Sequence, residues 1–358
     1  MKWYLSPLIA LTIAGAIQAQ TVPDAEKKEG FLSMFNGKDL SGWRFGSGSA
    51  LPDKLPDVAK VEDGVIKITG KEPHLGSQWD YEDFDVRFEW RAMQEKYNSG
   101  FYIRSGRSVG ANQINLAKGG EGGWVPGSGG VKLPGAKTVP DLQNKWSEWN
   151  DWRVTAVGDK VTFWCNDKLA WEATGFEVKR GYIGLQQEGA KIEFRNLRIK
   201  ELGYDVLNDA KKWSVDGSGW KIDDGTFTQN DKTVPLQTVK NDYKDYVFRV
   251  EYRAGKDASG GIGLRGEKAI VGFVAIGDLM SGSGTVADKT PSEKLDYPVG
   301  QWNYLELRVK DNKATVWLNG TVVVENAHLK GAPDTGGIAL QQLGKGLQFR
   351  NPRIKEAR

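Results

Sequence analysis

Acid, amide and guanidinium side chains recur on one phase of short alternating runs. Along Phe84–Arg91 the apolar Phe84, Val86, Phe88 and Trp90 alternate with Asp85, Arg87, Glu89 and Arg91. Period two places Glu89 and Arg91 on the face of a strand that looks away from the core. A carboxylate beside a guanidinium can take a proton and steady the resulting oxyanion, with Glu89 as base and Arg91 as its partner. The same pair can form an ion-pair ladder between strands, and its recurrence as Glu251 and Arg253 helps that structural reading. In Asn98-Ser99-Gly100-Phe101-Tyr102-Ile103-Arg104, alternation sets Tyr102 and Arg104 opposite Phe101 and Ile103. Asn98 precedes the strand in a turn, and Gly100 lets a ligand or a neighbouring backbone come close. Arg104 offers a rigid fork of donors for hydroxyls or an anionic oxygen; the bland alternative is a surface arginine.

Further along, Gln113 and Asn115 share one phase of Asn112–Asn115. Amides bind polyhydroxylated ligands, but neither residue can act as a base near neutral pH. Glu121 supplies a carboxylate within the glycine-rich stretch Gly119–Gly130, which also carries Trp124. That stretch reads either as a mobile cover over a ligand or as a plain surface loop. Trp124 and Trp164 are the indoles placed to stack on a ligand ring, because Trp90 and Trp152 fall on apolar phases. Gln186 and Gln187 recur as Gln341 and Gln342, which fits ligand contact and a repeated structural hydrogen bond equally.

Counts exclude other chemistry. The 358 residues include two histidines, His74 and His328, and one cysteine, Cys165. Disulfide frameworks, thiolate zinc sites and a histidine cluster within one domain are ruled out. No cofactor is evident and no metal site is assigned, although oxygen ligands from separate strands leave a divalent cation open. His74, a lone histidine after Glu72-Pro73, is expected to be incidental. Cys165 ends the strand pattern Val161–Cys165 and is expected in the core. With 49 Lys+Arg against 46 Asp+Glu the formal charge is +3, which gives no basic footprint for nucleic acid.

These side chains need elements to position them. Met1–Ala19 reads as a secretory signal: Lys2 at the start, an apolar Leu8–Ile17, and small Ala19 before the expected cut. With no cysteine after that cut for a lipid anchor, the expected destination is the periplasm or the exterior. The remainder is a duplication. Gly181–Glu201 aligns without a gap on Gly336–Glu356, with 13 of 21 residues identical. Trp149–Asp167 aligns on Trp302–Gly320, Tyr81–Ala92 on Tyr243–Ala254, and Ser99–Arg104 on Gly260–Arg265. The expected domains are therefore 22–202 and 203–358. Both copies read as alternating strands joined by turns such as Asn319-Gly320, hence an all-β chain of two tandem sandwiches.

Phe35-Asn36-Gly37-Lys38-Asp39-Leu40-Ser41-Gly42-Trp43, Glu62-Asp63-Gly64, Asn98–Arg104, Gly184-Leu185-Gln186-Gln187 and Phe194-Arg195-Asn196 together resemble a bacterial family. It is the domain of unknown function 1080 family, also called the 3-keto-disaccharide hydrolase domain. The resemblance covers most of Phe31–Leu202, with a weaker copy over Tyr204–Arg358. It implies concanavalin-like jelly rolls and cleavage of glycosides already oxidised to a ketone at C3. On that resemblance Glu89, Arg104 and Glu121 are the catalytic candidates. Arg91, Asn98, Tyr102, Gln113, Asn115, Trp124, Gln186 and Gln187 are the substrate-binding candidates, all expected on one concave face of the first sandwich. Many family members carry Glu-x-Gln-Ile/Val where this chain has Asn112-Gln113-Ile114-Asn115, so that strand has no carboxylate here. The second copy reads as polar-poor and degenerate. The expected partner is a carbohydrate, with no nucleic acid and no membrane anchor after signal cleavage. The competing reading is a pair of noncatalytic carbohydrate-binding modules on the same fold.

Overall fold

The alternating runs become strands whose apolar phases meet face to face. A computed structural model describes residues 22–48, 50–52, 56–230, 234–266, 273–277, 283–287 and 289–357. The expected signal sequence at Met1–Ala19 lies outside them. In Phe84–Ala92 the side chains of Phe84, Val86, Phe88 and Trp90 are at most 1% exposed, while Arg87, Glu89 and Arg91 on the other phase are half-buried. Phe88 stacks on Phe101 of the opposing sheet at 4.3 Å between ring centroids, so the two sheets share one core.

Within the first half, the back sheet runs Lys168–Ala173, Lys160–Cys165, Asn150–Val157, Phe84–Ala92, Ile192–Glu201, Val65–Ile68, Ala59–Glu62, with Leu32–Ser33 added on Ile192–Glu201. The front sheet runs Trp43–Phe45, Leu75–Tyr81, Gly181–Leu185, Gly100–Ser105, Ala111–Asn115, Trp124–Gly127. All pairings are antiparallel, and strands distant in sequence sit side by side, as in a jelly roll. The second half repeats the plan over 205–356 with a narrower front sheet of Leu236–Gln237, Ile338–Gln342, Gly260–Leu264 and Phe273–Ile276. The chain is thus all-β, two tandem sandwiches. Cys165 lies in the first core, its thiol pushed up to about 12 by burial.

A charged seam joins the sandwiches. Trp79 Nε1 donates to Glu251 at 3.1 Å, and its ring lies against the guanidinium groups of Arg249 and Arg353. Arg249 donates to Glu201 and Glu306, each at 2.7 Å, and Arg180 bridges Asp80 to Glu306 at 2.6 Å to each. Burial opposes ionisation of Glu306, but Arg249 and Arg180 override it and hold the carboxyl down to about 2. Tyr297 donates to Gln78 at 2.9 Å across the same seam.

Candidate functional site

The outer face of the first front sheet gathers the polar cluster. Strand pairing aligns Arg44, Gly76, Gly184, Tyr102 and Gln113 in one row across five strands. Trp43, Phe101 and Ile114, on the opposite phase of three of those strands, are fully buried in the core. Alternation therefore turns Arg44, Tyr102 and Gln113 outward. The two central glycines give the row a low floor, and Val109 from the 106–110 turn lies on it. A Cβ built on Gly76 would stand 2.7 Å from Val109 Cγ2, and one on Gly184 would collide with Cγ1.

His74, two residues before Gly76 on the same phase, stacks on Tyr102 with ring centroids 5.5 Å apart and planes 28° apart. Its Nδ1 accepts the Gln187 N–H at 3.2 Å, and its Nε2 lies 3.4 Å from the Tyr102 hydroxyl. Because Nδ1 is used as an acceptor, the proton of the neutral ring is assigned to Nε2. Burial lowers the His74 pKa from its ordinary value, against the pull of Glu72 and Glu188, so the ring is neutral near pH 7. Burial, with Glu188 and Glu72 nearby, raises the Tyr102 phenol above its ordinary range.

Beside this pair, Gln113 Nε2 donates to Gln186 Oε1 at 2.6 Å and to the Ser99 carbonyl at 3.2 Å. Gln186 Nε2 in turn donates to Glu188 at 3.3 Å, an exposed carboxylate whose charge acts on both Tyr102 and His74. Gly100 is required here, because a Cβ at that position would occupy the place of the Gln113 amide. Gln187 is buried, its amide donating to the Pro73 carbonyl, and it supports His74 from below.

Other expected residues are placed elsewhere. Glu89 and Arg91 lie on the outer face of the back sheet, on the far side of the core from Gln113. Arg195 donates to Glu89 at 2.6 and 2.8 Å, Asn196 also donates to it, and Arg91 donates to Glu193 at 2.7 Å. Arg350 and Asn351 hold Glu251 in the same way in the second copy. This is a ladder of the fold, and it does not converge with the front-face groups. Arg104 sits near the end of the strand Gly100–Ser105 with φ 41°, which breaks the alternation. Its guanidinium turns to the sandwich end and binds the carbonyls of Glu82, Gly158 and Val178 at 2.7 Å each and Asp83 at 2.9 Å. Arg265, φ 53°, repeats that clamp on Lys244 and Asp245.

Glu121 is 1% exposed and receives the Tyr97 hydroxyl, inside the sandwich and away from the front face. Trp124 pairs with Ile114 and so faces the core edge, where it meets Phe176 and donates to the Val131 carbonyl. Trp164 lies under Arg153 on the back sheet. Asn115 accepts the Ala117 N–H and shapes its own loop, and Asn98 is exposed in the turn before Gly100. Of the expected residues, Tyr102, Gln113, Gln186 and Gln187 come together. His74, Arg44, Val109 and Glu188 join them unannounced. In the second copy Gly263 stands where the first has Tyr102, by the alignment of Ser99–Arg104 on Gly260–Arg265.

Among the described residues, no group of three or more His, Cys, Asp or Glu is arranged to hold a metal ion, and no helix is long and apolar enough to cross a membrane.

The chain is similar to a 3-keto-disaccharide hydrolase of Bacteroides thetaiotaomicron, 23% identical over 236 residues, covering 49% of this chain and 79% of that one. A solved Parabacteroides distasonis protein, assigned provisionally by name to the glycosyl hydrolases, is 24% identical with a TM-score of 0.41, covering 52% of this chain and all of its own. The carbohydrate-binding module CBM66 of Bacillus subtilis is 14% identical with a TM-score of 0.33, covering 44% and 95%. The family described as the 3-keto-alpha-glucoside-1,2-lyase-like domain matches residues 30–200 and again 205–355, and with both halves matched the chain belongs to that family.

Proposed function

We propose that this protein is an exported enzyme that cleaves 3-keto-glycosides on the front face of its first sandwich. A ketone at C3 acidifies the proton on C2. A base removes it, and the electron pair passes through the C2–C3 enolate. The ketone then re-forms with a C1–C2 double bond, and the C1 substituent leaves with a proton. Water added to that enone completes a net hydrolysis. Tyr102 is the donor to the enolate oxygen, since its raised pKa keeps the phenol protonated at neutral pH. His74 positions the phenol from Nε2, itself fixed by the Gln187 N–H. Glu188, oriented by Gln186, is the carboxylate within reach of the C2 proton, and Gln113 binds a sugar hydroxyl.

The observation that carries this reading is the stacked His74–Tyr102 pair beside the Gln113–Gln186–Glu188 hydrogen-bond chain, on one face of a family domain. The test is incubation with a 3-keto-disaccharide and with its non-oxidised parent. Release of monosaccharide from the keto sugar alone supports it. A second reading, the noncatalytic sugar-binding module, is favoured by the amides of Ala111–Asn115 where a carboxylate would serve as base. Binding of both sugars without turnover would select it.

A further inference from the structure

Arg44 is fully buried, yet among the described residues no carboxylate pairs with its charge. Arg104, Arg249, Arg265 and Arg353, comparably buried, each reach an Asp or Glu. Among the described residues the Arg44 donors reach only the Gly46 and Arg107 carbonyls, both through Nη1, while Nε and Nη2 have no partner. The guanidinium lies on the Tyr182 ring, 4.4 Å from its centroid. Burial lowers its pKa to about 10, and the neighbouring Arg107 adds to the effect. Nε and Nη2 share one edge of the guanidinium, the side-on fork that matches the two oxygens of a carboxylate.

What covers Arg44 is the turn Gly106–Gly110. Val109 lies in the glycine-floored trough between Arg44 and Tyr102, against Gly76 and Gly184. It does so with φ 55°, a left-handed conformation that a β-branched residue disfavours. Gly106 and Gly110 flank it, and a Cβ at either would meet open space, so the turn is held by polar contacts, Arg107 to Tyr182 at 3.2 Å and the Gly110 N–H to Ser105 at 3.1 Å, and not by side-chain packing at its two glycines. Removing Val109 would connect Arg44 to Tyr102 over three strand spacings, roughly 14 Å, with Gln113 one strand further.

We propose that the Gly106–Gly110 turn covers an anion-binding subsite, and that when it swings aside Arg44 takes the carboxylate of an acidic sugar ring whose neighbour lies at Tyr102 and Gln113. This rests on the front face being the sugar site, and it adds the substrate class, a glycoside that carries a uronate. The two strained or unsatisfied features, Val109 and Arg44, are then both relieved in the bound state.

Isothermal titration with a glucuronate-containing disaccharide and with its neutral glucose counterpart tests the proposal. The unmodified protein should bind the acidic sugar roughly tenfold tighter, as expected of a charge-assisted pair. Arg44→Met should bring that ratio close to one, Arg44→Lys should keep part of it, and Val109→Gly should tighten binding of both sugars. Binding of the neutral sugar with no preference for the acidic one, in the unmodified protein and in Val109→Gly, would overturn the subsite and leave the front-face reading standing. A preference that survives unchanged in Arg44→Met would overturn the role of Arg44, and should that variant not fold, the same preference undiminished in Arg44→Lys would do so. No binding of either sugar to any of these proteins would overturn the subsite, and failure of a 3-keto-disaccharide to bind as well would overturn the front-face reading with it.

Discussion

His74 shows how little a residue's type says without its neighbours. In the sequence it is a single histidine after a proline; in the fold its ring stacks on Tyr102 and its Nδ1 is committed to a main-chain N–H. Burial keeps it neutral, so its folded pKa lies below the ordinary 6.5. The unfolded chain then binds the proton more readily, and stability must rise with pH through this window. The His74 contribution is complete above pH 6.5 and is lost as pH falls through the lowered folded value. Thermal melts between pH 7 and about 5 should show that loss, and His74→Phe, which keeps a ring against Tyr102, should flatten it. Tyr102, Gln113 and Gln186 were legible because strand phase alone puts them outward. His74 and Arg44 were not, because their importance comes from strands distant in the chain. Glu89 lies apart from them for the opposite reason: its phase turns it outward, but phase does not say which of two outer faces a strand presents.

Strand geometry decides where a side chain goes once its phase is known. Alternation predicted Phe101 and Ile103 inside and Tyr102 outside, and the register bears this out. It failed one residue later, where the left-handed backbone of Arg104 swings the guanidinium to the sandwich end. Nothing in the local pattern marks that turn, although the same arginine ending the second copy at Arg265 hints at a structural use. Arg104→Met should accordingly cost about 3 kcal/mol in urea unfolding, because it leaves the Glu82, Gly158 and Val178 carbonyls without their donor, while Asp83 keeps solvent and the Gly158 N–H. Gly100→Ala tests the site at the same scale. The three atoms nearest the new Cβ all belong to the flexible Gln113 side chain, which it would displace. Sugar affinity should fall roughly tenfold by titration calorimetry while stability changes by about 1 kcal/mol or less.

Across the whole molecule, the duplication was the most legible feature, since four blocks repeat in one order. The seam was invisible: Trp79, Asp80 and Arg180 lie in the first copy and Arg249, Glu251 and Glu306 in the second, with no local pattern to pair them. Arg249→Met would leave Glu201 and Glu306 without the cation that links them, and with Arg353 and Arg180 still paired to them should cost about 3 kcal/mol in equilibrium unfolding. The larger asymmetry lies in the polar groups. Both copies keep the ladder around Glu89 and Glu251, while the His74–Tyr102 pair and the Gln113 chain belong to the first. The central claim is that chemistry resides on the front face of that copy. Initial rates on a 3-keto-disaccharide, measured side by side for the unmodified protein, Tyr102→Phe and Glu89→Gln, test it most directly. Tyr102→Phe should lose roughly 100-fold or more, the size of a missing proton donor, and Glu89→Gln should stay within about twofold. Full activity in Tyr102→Phe together with collapse in folded Glu89→Gln would contradict the account and move the chemistry to the back sheet.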